Sequence, residues 1–120
     1  MADDAFPYPW GNDAPNCGRA VMSLCNGDDA LDVGTTNPGG NSVYGLVDMA
    51  GNAPEAVLDC YSDRYYDASP AADPVNDVPG CQTHIRRGGS HRNKNDDDFR
   101  VTRRDDEPID AEAFGVRCAR

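Results

Sequence analysis

Ser42-Val43-Tyr44-Gly45-Leu46-Val47-Asp48-Met49-Ala50-Gly51-Asn52-Ala53-Pro54-Glu55 is the stretch where turn chemistry, oxygen ligands and an apolar anchor coincide. Tyr44, Leu46, Val47 and Met49 supply apolar surface ahead of Gly51-Asn52, a pair that adopts positive φ at low cost. Asp48 and Glu55 flank that turn. Two carboxylates, with the carbonyls of a loop folded back between them, are what a hard cation such as Ca²⁺ takes. The plainer reading of the same residues is a Gly-Asn turn with two solvated acids.

Outward from this stretch, composition keeps the core thin. A chain of 120 residues has room for one domain, burying about 65% of its unfolded surface. Only 38% of the residues are hydrophobic, and 12 glycines and 9 prolines break up the chain. Such a domain is loop-rich and needs staples or a metal to stand alone. The net charge is −10, from 21 acids against 11 basic residues, among which Lys94 is the lone lysine. That balance repels nucleic acid and anionic membranes and favours cations. No apolar run is long enough to span a bilayer, and no signal peptide opens the chain.

Cys17 and Cys25 bracket a short loop, and Cys60 and Cys81 bracket a longer one rich in Pro, Asp and Ser. Both spans can close as disulfides without crossing, which leaves Cys118 over. Five cysteines in an acidic, Gly/Pro-rich chain suggest an oxidising compartment. The alternative is a set of reduced thiols, since connectivity is not written in the sequence.

Along the chain, residues 1–5 are a polar start, expected to fray. Trp10, the sole Trp, is the expected core anchor. Ala20-Val21-Met22 reads as an extended strand, and residues 26–42 as loop. Asp28, Asp29 and Asp32 lack the alternating ligands, central Gly and closing Glu of an EF-hand. Ala56–Tyr61 should be a short buried strand, followed by loop through residues 67–80. Ile85-Arg86-Arg87 leads into Gly88-Gly89, where a close approach excludes a Cβ. Phe99–Arg104 and Phe114–Cys118 alternate apolar and basic residues, the pattern of half-buried antiparallel strands. No segment sustains helical periodicity, so the expected class is irregular α+β with short strands and long loops.

Tyr44-Gly45-Leu46-x-Asp48-Met49-Ala50-Gly51-Asn52-x-x-Glu55 resembles the signature of the formylglycine-generating enzyme, or sulfatase-modifying factor, family. Three more pieces follow that family's order: Tyr8-Pro9-Trp10-Gly11-Asn12, Arg86-Arg87-Gly88-Gly89-Ser90 and Phe114-Gly115-Val116-Arg117-Cys118-Ala119. The resemblance implies a C-type-lectin-like fold and covers nearly all 120 residues. It takes in only the C-terminal part of a family domain, so residues 1–120 are expected to be one domain whose N-terminal half is missing. The absent signal peptide then leaves open where a longer parent protein resides. The closing cysteine of the family can pair with one in the upstream half, which fits an unpaired Cys118.

The resemblance also implies a structural Ca²⁺ site, with Asp48 and Glu55 binding through side chains and Gly51 and Ala53 through carbonyls. A further calcium site of the family would use an asparagine where this chain has Val21, which offers no side-chain oxygen. Pro54 stands where the family has Trp, removing an N–H and an aromatic wall. Active members oxidise a substrate cysteine to formylglycine with O₂, holding Cu(I) on two cysteines just after the Gly-Gly-Ser piece. Soft thiolates select Cu(I). Here the run is His91-Arg92-Asn93-Lys94-Asn95-Asp96-Asp97-Asp98, with no cysteine between Cys81 and Cys118. An asparagine usual near the close of the family domain is Ala113. Copper is therefore not expected, and no catalytic residue is assigned.

His84 and His91 are the two histidines, and a metal triad with Asp96 is conceivable, although histidines flanking a Gly-Gly turn are more often ordinary surface residues. Arg86-Arg87-Gly88-Gly89 is a single copy of an Arg-Gly pattern in an acidic chain, weak evidence for RNA. Ser90, His91, Asn93, Asp96 and Asp98 lie where the family exposes its site, and variable ligand-binding proteins place changeable residues there. These short polar side chains suit a sugar, peptide or protein partner. The expected function is a non-catalytic, calcium-stabilised recognition or scaffold module, exported as part of a longer protein. The alternatives are an oxidoreductase of the family and a variable ligand-binding protein.

Overall fold

Few apolar residues means few regular elements, and most of the backbone is turn. The computed structural model describes residues 6–106 and 115–118. Its elements, in order, are strand β1 (Glu55–Cys60), the single helical turn α1 (Tyr65–Ala68), strand β2 (His84–Arg87) and a 3₁₀ turn, Asp96–Phe99. β1 and β2 pair antiparallel, Glu55 opposite Arg87, Ala56 opposite Arg86 and Cys60 opposite His84. From Ala56 to Cys60, β1 spans more residues than β2 does from Arg86 to His84, so β1 carries a bulge. Single bridges widen the ladder on both sides: Gly115 pairs with Glu55, and Asp105 pairs with Arg86. Among the described residues no helix is long and apolar enough to cross a membrane.

The core is one small cluster of Tyr8, Ala20, Met22, Ala50 and Phe99, with Trp10 and Cys25 packed against it. Phe99, 1% exposed, is its centre. Trp10 is half-buried, stacked on Tyr8 with ring centroids 5.5 Å apart, and donates its indole N–H to the Asp13 carbonyl at 2.9 Å. The sole Trp therefore flanks the core, and Phe99 fills it.

Two backbone approaches fix the fold. Gly51 has φ 82°, and a Cβ there would lie 2.6 Å from the Val21 carbonyl oxygen. At Gly89, with φ 67°, a Cβ would meet the Asp98 carbonyl at 2.9 Å and the Phe99 ring at 3.2 Å. The close approach expected after Ile85-Arg86-Arg87 is present, and the wall is Phe99.

Several strand expectations change. Phe99–Arg104 is not a strand: Asn95 and Asp98 cap the turn reciprocally, and turn residues follow at Val101 and Thr102. Local side-chain bonds win over a short alternation because only Phe99 has a core to enter; Val101 is 44% exposed. β1 forms where expected but is half-buried, with Leu58 62% exposed. Ala20, Val21 and Met22 are buried, but pairing is confined to the Val21–Gly51 bridge. Of the closing strand, Gly115 pairs with β1 while Val116 is 85% exposed. Phe114, Ala113 and residues 1–5 lie outside the described residues.

Both expected disulfides are formed, Cys17–Cys25 and Cys60–Cys81, and Cys118 is a free, exposed thiol. Since one ring anchors the core, Phe99→Ala is expected to cost about 3–5 kcal/mol. Urea denaturation measures this, and a loss below about 1 kcal/mol would place the core elsewhere.

Candidate functional site

Asp48 sits at φ 54°, a conformation that turns its carboxylate back over the preceding loop. Its Oδ2 accepts the Gly34 N–H at 2.6 Å and its Oδ1 the Thr36 hydroxyl at 3.3 Å. Asn52, at φ 65°, extends the clamp: its carboxamide accepts from the Leu31 N–H and donates to the Leu31 carbonyl, both at 2.9 Å. The acid and the amide thus tie down the loop of residues 31–36, which has almost no apolar anchor of its own.

Glu55 opens β1 and meets Arg117 in a two-point pair, with Nε to Oε2 and Nη2 to Oε1 both at 3.0 Å. The same Nη2 donates to the carbonyls of Val47 and Asp48 at 2.9 Å. Asp48, Gly51, Ala53 and Glu55 all line one open cavity of about 410 Å³, which Arg117 and Gly115 also border. The four expected cation ligands are therefore together. Among the described residues, the carbonyls of Gly51 and Ala53 accept no hydrogen bond. Hard oxygen donors around a roomy cavity fit a calcium ion in chemistry, and Glu55 is shared with the Arg117 guanidinium. Arg117 was not singled out from sequence; the alternation of the closing segment was the signal that turned it towards a paired face.

The second cluster follows the double glycine. Ser90 is buried; its N–H and hydroxyl both bond the Asn93 carboxamide oxygen, at 2.7 and 2.9 Å. His91 bonds the Asn52 carbonyl through its N–H at 2.8 Å and its Nδ1 at 2.6 Å. Asp98 accepts from the Asn95 N–H at 3.3 Å. Of the five residues expected to face a partner, Asp96 alone is exposed. Ser90 and Asn93 instead border a polar recess of about 210 Å³ shared with Pro54, Arg86, Arg92 and Arg103. Asp105 closes it and hydrogen-bonds Arg103 at 2.8 Å, raising that guanidinium's pKa further above its ordinary range. Sequence reading missed these arginines, since separate segments bring them together.

Fold and sites define a small, loop-rich, disulfide-stapled domain built around an oxygen-lined loop and an arginine-bearing recess. The chain belongs to the sulfatase-modifying factor enzyme 1-like domain family, whose model matches residues 3–120. Among solved structures it is similar to Treponema denticola variable protein 1, with a TM-score of 0.62 and 22% identity. That likeness covers 98% of this chain and 40% of the Treponema chain, so the present sequence spans less than half of that protein's length. A search of functionally curated proteins finds no match.

The Glu55–Arg117 clamp joins the start of β1 to the closing segment, with both side chains about a third exposed or less. Glu55→Gln is expected to lower stability by about 1–2 kcal/mol. A double-mutant cycle with Arg117→Ala should give a coupling of about 1 kcal/mol. Additive effects in that cycle would mean that the pair contributes nothing.

Proposed function

We propose that this chain is a non-catalytic recognition or scaffold module of C-type-lectin-like architecture. The observation that carries this reading is the make-up of the recess after Gly88-Gly89. Among the described residues it is bordered by Pro54, Gly89, Ser90, Asn93, three arginines and Asp105, with no thiol among them. Cu(I) needs soft sulfur donors, and Cys81, the nearest preceding cysteine in the sequence, is bonded to Cys60. Guanidinium and carboxamide groups suit binding instead. A protein, peptide or glycan group with acidic or hydroxyl functions would be held in the recess by charge-assisted hydrogen bonds. Two disulfides suit an oxidising environment, and we read the domain as an exported part of a longer protein.

Calcium is the proposed resident ion, held by the carboxylates of Asp48 and Glu55 and the carbonyls of Gly51 and Ala53. Support comes from their shared cavity and from the two carbonyls left without partners among the described residues. Bound there, the ion would supply charge neutralisation and cross-linking, with no chemical step. Asp48 already orders the loop of residues 31–36 through Gly34 and Thr36. Ion binding would therefore be read out as stability of that loop and of the β1 start.

Two measurements test these readings. With Ca²⁺ a hundredfold above Kd, stability should rise by about 2.7 kcal/mol, a melting shift of roughly ten degrees for this size. Chelator should reverse it and Asp48→Asn should abolish it; a melt indifferent to calcium returns the loop to a plain turn. Incubation with copper, O₂ and a cysteine peptide should yield no formylglycine above the protein-free level. Product above that level would overturn the non-catalytic reading.

A further inference from the structure

We propose that Cys60, Cys81 and His84 form a redox-gated zinc site: oxidised, the two sulfurs are joined; reduced, the two thiolates and one imidazole nitrogen take one Zn²⁺. The ladder places Cys60 directly opposite His84, and Cys81 lies three residues before His84 on the approach to β2. One donor atom from each residue falls within 4.8 Å of the other two. A tetrahedral zinc with Zn–S near 2.3 Å and Zn–N near 2.0 Å needs ligand separations of roughly 3.5–3.8 Å. Opening the disulfide and parting the sulfurs by under about 2 Å meets that requirement.

One ring nitrogen already has a backbone partner. His84 Nδ1 lies 3.1 Å from the Leu58 carbonyl oxygen. With Nδ1–H donating there, Nε2 carries the lone pair. A backbone carbonyl on the far ring nitrogen is the usual outer partner of a zinc-bound histidine. Three protein ligands leave a fourth position for water or an incoming group, and a cavity of about 440 Å³ bordered by Cys60, Cys81, Asn76 and Thr83 gives access. Two thiolates cancel the charge of the ion, which suits a half-buried place.

The scaffold also has bonds that do not depend on the disulfide. Cys60 N–H donates to the Asn76 carbonyl at 2.9 Å, the Asn76 carboxamide donates to the Cys60 carbonyl at 2.7 Å, and Tyr61 N–H donates to the Thr83 carbonyl at 2.8 Å. These hold the loop between the cysteines while the sulfurs are free. The chemistry balances simply. A dithiol gives two electrons and two protons to the S–S bond and closes its own disulfide. Zn²⁺ then displaces both thiol protons to water.

The test uses the full chain with Cys118→Ser, which removes the unpaired thiol, reduced with a phosphine that does not compete for metal. Co²⁺ is the probe. One ion per chain should bind, with thiolate charge-transfer absorption and the visible bands of a tetrahedral site, and Zn²⁺ should displace it. His84→Ala should weaken binding by at least about tenfold, the loss that even an outer-partner change can cause. His84→Cys should restore it with stronger charge transfer, a rescue that a merely structural role for His84 would not allow. Cys17→Ser with Cys25→Ser should leave affinity unchanged, and the oxidised chain should bind no Co²⁺ at this site. The proposal is overturned if His84→Ala binds as tightly as its parent, if His84→Cys fails to rescue, if binding follows Cys17 and Cys25, or if oxidation makes no difference.

Discussion

Gly51-Asn52 is the contact on which the other segments depend. Gly51 lies against the Val21 backbone with no space for a side chain. From that position its N–H reaches the Gly88 carbonyl at 2.7 Å, and the Asn52 N–H reaches the Val21 carbonyl at 2.8 Å. The Asn52 carbonyl accepts from His91, while its carboxamide pairs with Leu31. Three stretches, at Val21, Leu31 and Gly88–His91, are thus joined by one dipeptide, mainly through backbone groups. A protein whose buried apolar residues are as few as those described here cannot rely on apolar burial alone, so buried polar groups must be satisfied where segments cross. Positive φ at both positions aims those groups in the required directions.

What could be read from the sequence follows from this economy. The Gly-Asn turn, the tight Gly88-Gly89, the short strand at Ala56 and the Cys17–Cys25 and Cys60–Cys81 spans all depend on neighbours close in sequence or on backbone sterics, which residue type reports directly. The alternation from Phe99 to Arg104 does not report the turn that forms, because the partner of Phe99, the Cβ-less face of Gly89, is a tertiary fact. The same holds for the site. Asp48 and Glu55 flank one turn and are legible together, and the family resemblance adds Gly51 and Ala53 to them, whereas Arg117 and the recess arginines arrive from elsewhere. Asn93 and His91 are expected at the family's exposed site, and in the structure each also holds an internal bond, to Ser90 and to the Asn52 carbonyl.

Arginine carries much of the remaining cohesion. The basic residues include a single lysine, and the arginines serve as bridges: Arg117 to Glu55, Arg103 to Asp105, Arg100 to Asp97 and Arg19 to Asp13. Arg104 lies 4.5 Å over the Tyr66 ring and 5.7 Å over that of Tyr61, and bonds the Ser62 carbonyl. A planar, delocalised cation can stack on a ring and donate in its plane at once, which an ammonium cannot. In a chain of net charge −10, such bridges neutralise acids locally and substitute in part for missing apolar contacts.

At the Asp48–Glu55 loop this habit bears on any bound ion. Carbonyls of Val47 and Asp48 converge with the Glu55 carboxylate, and their combined negative potential needs a positive charge nearby. Arg117 supplies one permanently, fixed by the Gly115–Glu55 bridge two residues earlier. Among the described residues the Asp48 carboxylate accepts from an amide and a hydroxyl, both neutral dipoles. A divalent ion in the same cavity would therefore complete Asp48 rather than rescue Glu55. Its stabilisation would add to the guanidinium clamp instead of replacing it. Asp48 is accordingly the residue at which ion binding and the guanidinium clamp can be told apart.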